Sequence, residues 1–195
     1  MFGFDTDRMP EDLRKKINKW AFVENLRLYI KKSPYSNVQP SSFISFIQKQ
    51  LFKFNKRLQF ILSYADGVHG FVGKIYQASN YLYCGTTTPS YFYIPNYGLC
   101  SLRNVFEVHG HANLSIVKKY HPDAKAIRGT NFKYIIFRDR KTQEQLRPYF
   151  KFKIYTKMPS KSDIKIRDQD GKSYDPAFFK SLPFLPYARI RAVMV

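Results

Sequence analysis

The sequence is poor in cysteine and has no long apolar run. Cys84 and Cys100 are the only cysteines and no CxxC pair occurs, so neither a disulfide framework nor a structural zinc site is expected. No stretch approaches the roughly 18 apolar residues that suggest a membrane-spanning helix. Residues 1–30 carry charges throughout, where a secretory signal would have an apolar core. These absences favour a protein of a reduced cytoplasm.

Acidic residues are also scarce, at 14 against 33 lysines and arginines, which gives a net charge of +19. The excess is uneven: +6 over residues 1–56, +1 over residues 57–100 and +12 over residues 101–195. Self-repulsion opposes compaction at such a charge, so an anionic partner is its natural explanation. Nucleic acid is the first candidate, ahead of an acidic membrane surface or a phosphorylated ligand.

Two common phosphate-binding motifs are missing as well. Gly67, Gly70 and Gly73 follow an apolar run and precede a predicted helix, but neither a GK[ST] loop nor GxGxxG is present. On the residues alone, a plain glycine turn and a phosphate cradle remain about equally compatible with this pattern. The four histidines are scattered and the "HGH" at 109–111 has no evident third ligand, so no metal site is predicted.

The pattern of apolar residues predicts a mixed α/β domain. Residues 58–64 are typical of a buried strand, residues 74–80 of a short helix and residues 81–85 of a second strand, which together form a βαβ unit. Further segments fall into four groups. Helices are predicted from Pro10 to about residue 22 and over residues 112–121, and another begins at an N-cap at Ser41 or Ser42, with an apolar face of Phe43, Ile44, Ile47, Leu51 and Phe54. Strands are predicted over residues 26–30 and 132–140. A lysine-rich sheet edge is predicted over residues 150–159 and a loop over residues 86–98.

Asp66 follows the first strand of that βαβ unit, where ligands of open α/β sheets usually bind. The alternative is that its side chain only caps the following turn. Tyr64, Tyr76, Tyr81 and Tyr83 surround the same turn. Core packing accounts for most of them, and proton donation or stacking on a base remains an alternative.

Residues 63–85, "SYADGVHGFVGKIYQASNYLYCG", resemble a phage DNA-modification family typified by the Mom protein of phage Mu. Members carry a strand ending S-[YF]-A-D, a loop ending G-H-x-G, then I-Y-Q-A-[ST]-N-[YFW] and a Y-x-G strand. The flanking "RLYI", Asn37, "SSFI", "LRNVFEVHG" and "DAKAIRGTNFKYIIF" are similar to further parts of the family, so the resemblance covers roughly residues 26–155.

The resemblance implies a GNAT-like acyltransferase fold with a mixed, splayed central sheet flanked by helices. Residues 58–64 and 81–84 would be the two splayed strands, with an acyl-CoA or related donor in the gap between them. The implied activity is transfer of an acyl-derived carbamoylmethyl group to adenine N6 of double-stranded DNA in the host cytoplasm, which protects the DNA from restriction. The GNAT-like domain is expected over residues 1–158, with a basic extension over residues 159–195.

Candidate site residues follow from the same resemblance. Asp66 would be a polar or acid–base group, Arg103 an anion or transition-state contact, and Tyr64 and Tyr134 pocket hydroxyls. The residues expected to contact the donor lie in one segment: Ser63, Gly70, Gly73, Lys74, Tyr76, Gln77 and Asn80. The first two strands of the family and the helix between them are expected to be missing. Three alternatives follow: a homo-oligomer or another chain that supplies these strands, a split gene, or a degenerate protein.

The sequence departs from the family pattern at two places. Phe71 stands where histidine is usual, and Ser101 and Leu102 precede Arg103 where histidine and proline are expected. Two alternatives therefore stay open: a DNA-binding protein of the same fold without catalysis, and a GNAT N-acetyltransferase that acts on a protein or small-molecule amine.

Overall fold

The computed structural model describes residues 2–3, 22–25, 38–150 and 152–182, which form a mixed α/β fold as predicted. The described residues divide into two compact units. The first unit consists of the described residues up to Ala65, together with Gly73–Thr86 and Phe132–Pro159. The second unit consists of Asp66–Val72, Thr87–Asn131 and the described residues from Ser160 onward. The predicted helix from Pro10 and the predicted strand at 26–30 lie outside the described residues, apart from Phe22, which is in a strand.

The strands and helices of the described residues follow in chain order. The strands are β1 (Phe2–Gly3), β2 (Phe22–Asn25), β3 (Phe60–Asp66), β4 (Leu82–Thr87), β5 (Ser90–Ile94), β6 (Gly98–Ser101), β7 (Lys125–Arg128), β8 (Asn131–Phe137) and β9 (Arg167–Asp168). The helices are α1 (Pro40–Phe54), α2 (Lys74–Gln77), α3 (Leu102–His109), α4 (Leu114–Tyr120), α5 (Arg140–Leu146) and α6 (Pro176–Lys180), with 3-10 turns at Arg147–Tyr149 and Lys161–Asp163. No helix of this part is long and apolar enough to cross a membrane.

The sheet of the first unit has the order β1-β2-β3-β8-β4. β2 pairs in parallel with β3, and the rings of Phe22 and Phe60 stack with their centroids 5.3 Å apart. The strands predicted at 58–64 and 132–140 are confirmed as β3 and β8, and the short helix and second strand of the βαβ unit are confirmed as α2 and β4. β8 lies between β3 and β4, however, so a hydrogen-bonded strand fills the gap expected between them.

The sheet of the second unit, β6-β5-β7-β9, is antiparallel at every pairing. Helices α3 and α4 cover one face through a buried cluster that includes Phe92, Ile94 and Val117. On the other face Leu99 and Ile127 pack against Val68 and Phe179. The loop predicted over residues 86–98 is wrong, because residues 90–94 form β5 and pair with strands on both sides.

Three further predictions need correction. Helix α1 begins at Pro40 after Gln39, which makes no side-chain cap bond, so neither Ser41 nor Ser42 is the N-cap; proline at the first position supplies the preset φ. Its predicted apolar face is only partly buried, since Ile44 is covered whereas Phe54 is 78% exposed. The predicted sheet edge at 150–159 is limited, in the described residues, to one bridge between Tyr83 and Tyr155. The helix predicted at 112–121 is confirmed as α4.

Arg138 shows that part of the basic charge is structural. Arg138 follows β8 directly. Its guanidinium donates to the backbone oxygens of Phe52 (2.7 Å), Asn55 (2.5 Å) and Leu58 at the carboxyl end of α1. It also lies over the ring of Phe52, 5.4 Å from the centroid. A cation at the end of a helix satisfies carbonyls that have no partner within the helix, so this arginine anchors α1 to the sheet.

Asp168 plays a similar structural part in the second unit. Its fully covered carboxylate accepts from Lys125 Nζ (3.1 Å), Tyr174 Oη (2.8 Å) and the backbone N–H groups of Asp170 and Lys172. Burial disfavours the charge, but these hydrogen bonds outweigh it and lower the pKa of Asp168 to about 2. Strand β9 and the turn that follows it are thereby fixed to β7. The predicted boundary at residue 158 stays a prediction.

Candidate active site

Asp66 ends β3 and organises the turn that follows it. Its Oδ1 accepts from the N–H of Val68 at 2.9 Å, an Asx turn that confirms the predicted capping role. Two backbone bonds close the same turn, from Gly70 N to Gly67 O (2.9 Å) and from Phe71 N to Asp66 O (3.0 Å). The chain therefore folds back immediately after the strand and brings residue 69 beside the carboxylate.

The second carboxylate oxygen holds a histidine. His69 Nδ1 lies 2.8 Å from Asp66 Oδ2. Because an ionised carboxylate can only accept, Nδ1 carries the proton in this contact, which fixes the tautomer of the ring. The side chains of Asp66 and His69 are 32% and 17% exposed, so they are half-buried and not sealed in the core. A carboxylate that orients an imidazole and stabilises its protonated form is an arrangement suited to general acid–base catalysis.

Tyr91 of β5 completes the group, which we call the Asp66 cluster: Asp66, His69 and Tyr91. Tyr91 Oη donates to Asp66 Oδ2 at 3.2 Å. Burial first, and then the charge and hydrogen bond of Asp66, raise the pKa of Tyr91, while Asn131 lowers it. The phenol therefore stays protonated at neutral pH and acts as a donor that helps to position the carboxylate.

The segment that carries His69 is held rigidly within the second unit. Gly67 N donates to Thr130 O at 2.9 Å, and Val68 is fully buried. A Cβ placed on Gly129 would lie 2.0 Å from Val68 Cγ2, so only glycine at 129 allows this approach. A rigid support of this kind lowers the cost of holding the Asp66 cluster in one geometry.

Several predicted residues of the first unit form a separate cluster of tyrosines. The ring of Tyr76 lies 5.4 Å from those of Tyr81 and Tyr134, and the ring of Tyr83 lies 5.6 Å from that of Tyr134. Gln77 Nε2 donates to Tyr134 Oη at 3.0 Å. Burial raises the pKa of Tyr134 to about 12 despite that hydrogen bond. Its hydroxyl is thus a neutral hydrogen-bonding group in a packed interior. The ring contacts of Tyr76, Tyr81 and Tyr83 agree with the core-packing alternative for those three residues.

Ser63 lies under this tyrosine cluster and is fully buried. Burial raises the pKa of Tyr76, and the Ser63 hydroxyl partly offsets the effect. Among the described residues, the buried Ser63 Oγ has no hydrogen-bond partner, so its hydroxyl acts on Tyr76 only as a nearby dipole.

Gly73, which precedes α2, has a packing reason to be glycine. Its φ is +75°, and a Cβ there would lie 2.3 Å from Cε2 of the Tyr134 ring. Its carbonyl accepts from the N–H groups of Tyr76 and Gln77, which start the single turn of α2. The left-handed backbone and the close ring explain this glycine without any ligand.

The remaining predicted donor-binding residues differ in their access to solvent. Lys74 and Asn80 are exposed and Gln77 is half-buried, whereas Tyr76 is only 6% exposed. Gly70 is half-buried and belongs to the second unit. An open cavity of about 340 Å³ lies beside the segment that follows α2, and its lining is Ser41, Ser42, Ser45, Phe46, Lys49 and Ala78. None of the predicted donor-binding residues lines it, so their role stays a prediction.

The other two predicted site residues lie elsewhere. Arg103 is on α3 with its side chain 86% exposed and donates to Glu107 at 2.9 Å. Tyr64 is half-buried on β3. Their assignments, like that of Tyr134, stay predictions. Among the described residues, no group of three or more histidines, cysteines or carboxylates could hold a metal ion. Cys84 and Cys100 are free, and burial raises the pKa of each to about 12.

Sequence reasoning missed two members of the Asp66 cluster. The D-x-x-H spacing of residues 66–69, directly after a buried strand, was a readable signal, because an Asx turn returns the third residue to the carboxylate. Tyr91 left no such signal, since 25 residues separate it from Asp66 and it lies in the segment predicted to be a loop.

Comparison with known proteins supports the resemblance that residues 63–85 carry. The family model described as the Mom protein family matches residues 1–157 of the chain. A comparison with curated proteins gave no match. Because the family match covers most of the 195 residues and includes β3, the Asp66 cluster and α2, the chain belongs to the Mom protein family.

Proposed function

We propose that this protein is a phage DNA-modification enzyme that transfers an acyl-derived carbamoylmethyl group to N6 of adenine and so shields the DNA from host restriction. Family membership over residues 1–157 supports DNA modification. The observation that carries an enzymatic role is the 2.8 Å contact between Asp66 and His69 on a half-buried turn. The net charge of +19 suits a polyanionic substrate.

The reaction needs a proton acceptor. The lone pair of adenine N6 is delocalised into the ring, so N6 becomes a competent nucleophile only as it loses a proton. His69 would accept this proton while N6 forms its new bond to the donor carbon; the bond from that carbon to the rest of the donor would break, and the leaving group would depart with the electron pair. Asp66 would stabilise the resulting imidazolium. Tyr91 keeps the carboxylate in place by donating to the same oxygen that holds His69.

The target adenine has to leave the duplex before any side chain can reach N6, so the proposal includes base flipping. An acyl-CoA or related donor would supply the electrophilic carbon. Lys74 and Asn80 are exposed and so accessible to a donor, whereas the Tyr134 ring fills the Cβ side of Gly73. The donor therefore remains part of the proposal.

Mass spectrometry of nucleosides from the DNA of cells that express the protein tests this function, with an active family member in parallel. Wild type should yield N6-modified adenine. Asp66→Asn keeps an oxygen for the Val68 turn but loses the charge, and His69→Gln loses the imidazole; each should lower modification about 100-fold or more. His111→Gln, an exposed histidine outside the Asp66 cluster, should keep full activity.

Two results would overturn parts of the proposal. Unmodified adenine with wild type, while the family member is active, removes the catalytic claim. Full modification by folded Asp66→Asn and His69→Gln proteins removes the acid–base role of the Asp66 cluster but leaves the enzyme class intact. Circular dichroism and thermal unfolding establish that each variant is folded.

A DNA-binding protein without catalysis is the second candidate. The observation in its favour is that Asp66 already has a complete structural task, the Val68 cap. Thermal stabilisation by coenzyme A derivatives discriminates, because only a protein with a functional donor site should be stabilised.

A further inference from the structure

The antiparallel sheet of the second unit carries an exposed row of four polar side chains at one end. Arg128 of β7 stands directly opposite Arg167 of β9. Ser90 of β5 is the partner of Arg128 on its other side, and Ser173 forms a bridge to Arg167. Residues directly opposite each other in antiparallel pairs point to the same face. All four side chains are exposed, and we call them the arginine row.

The arginine row lies just beyond the part of this face that helices cover. Phe92 and Ala126 form the next cross-strand pair with the same orientation, and both belong to the core under α3 and α4. One step further along the strands, at Ser90 and Arg128, the side chains reach solvent. The arginine row is therefore carried by hydrogen-bonded strands whose neighbouring apolar pair on this face is already packed against helices.

Two arginines facing each other across strands are unfavourable without an anion. Within the described residues, neither guanidinium has a carboxylate partner. The nearest carboxylate in sequence, Asp168, points to the other face, where it is fully covered and holds Lys125. Within the described part of the chain, the positive charge of the arginine row is thus not neutralised by a carboxylate, and it has no structural task of the kind that Arg138 has.

We propose that the arginine row binds the phosphodiester backbone of duplex DNA. The proposal rests on the proposed function, which names DNA as the polyanion. Directly opposed residues in antiparallel strands have their Cα atoms about 5 Å apart, so both forked guanidiniums can reach one phosphate or two neighbouring ones. The serine hydroxyls at both ends add donors, and contacts of this kind position the duplex without reading its sequence.

Salt-dependent binding of a fluorescent DNA duplex tests the row. The double variant Arg128→Gln/Arg167→Gln should bind at least about tenfold more weakly at one salt concentration. The slope of log K against log salt should fall by about 2, since each lost phosphate contact removes about 0.9. The loss should be equal for duplexes of different sequence. Arg128→Lys/Arg167→Lys keeps the charge and should retain most of the slope.

The matched control removes the same two charges from exposed positions outside the row. Lys118→Gln/Arg140→Gln does this, because Lys118 is exposed on α4 and Arg140 is 91% exposed and paired with Glu144. Equal losses in the test and control variants would mean that diffuse charge, not the row, holds the DNA, and would overturn the proposal. Thermal unfolding excludes a folding defect.

The outcomes separate this inference from the proposed function. If wild type binds DNA and the row variant binds equally well, the row proposal fails and the proposed function stands. If the row variant loses binding but wild type leaves adenine unmodified, the DNA surface stands and the chemistry fails. If wild type binds no duplex even at low salt, both fail.

Discussion

Replacing Gly73 by alanine should destabilise the first unit by two separable effects. The backbone φ of +75° lies in the left-handed region, which costs an alanine roughly 1–2 kcal/mol. The new Cβ would also lie 2.3, 2.7 and 2.9 Å from Cε2, Cζ and Oη of Tyr134. Tyr134 is fully buried and its ring packs against Tyr76 and Tyr83, so it cannot move away freely.

Overpacking of this kind costs typically about 1–3 kcal/mol, so the free energy of unfolding should fall by about 3 kcal/mol in total. Gly110→Ala measures the backbone effect alone, because its φ is +72° and no atom lies within 4 Å of the added Cβ; about 1 kcal/mol is expected. Gly129→Ala measures close packing without a positive φ, since its Cβ would lie 2.0 Å from Val68 Cγ2.

Urea unfolding followed by circular dichroism gives these free energies. The clash should be relieved in the double variant Gly73→Ala/Tyr134→Leu, which should be more stable than the sum of the two single changes predicts. A Gly73→Ala protein no less stable than Gly110→Ala would refute the reasoning, because the ring would then have moved at no cost. The presence of glycine at position 73 would then need another explanation, and the hypothesis of a ligand bound at α2 would be favoured again.

Two more variants test structural polar groups. The pKa of Asp168 is lowered to about 2, so its charge stabilises the fold above pH 4, and this contribution is lost as the pH falls through 2. In Asp168→Asn, the melting temperature should therefore fall less between pH 4 and pH 2 than in wild type. An equal fall in both proteins would contradict this. In Arg138→Lys the ammonium cannot reach all three carbonyls at the end of α1, so the free energy of unfolding in urea titrations should fall by about 2 kcal/mol. Arg140→Lys changes an exposed side chain and should alter this free energy little.

The parts of the fold that follow from short-range patterns were predictable. β3 and β8 are apolar runs whose burial follows from composition. The capping role of Asp66 could also be predicted, because its partner Val68 is only two residues away. Strand β5 was missed since Pro89 and Pro95 bound only five residues, a pattern that resembles a loop, although its aromatic residues favour a strand.

Long-range contacts were beyond the sequence patterns. Arg138 reads as one of many cations that could meet DNA, yet its partners on α1 lie more than 80 residues away and its charge serves the fold. The place of β8 between β3 and β4 is likewise a result of pairing across the chain, and no local period encodes it. Cross-strand partners such as Arg128 and Arg167 become visible only when the register is known.

Phe71, which stands where the family usually has histidine, is weaker evidence against catalysis than the sequence alone implied. Asp66 caps Val68 through Oδ1, and the backbone bond from Phe71 to Asp66 closes the turn at residue 71. This closure leaves the side chain of Phe71 59% exposed while His69, within the turn, reaches Asp66 Oδ2 at 2.8 Å. A missing histidine at 71 therefore does not deprive Asp66 of an imidazole. The activity of His69→Gln, rather than the identity of residue 71, decides whether this member of the family is catalytic.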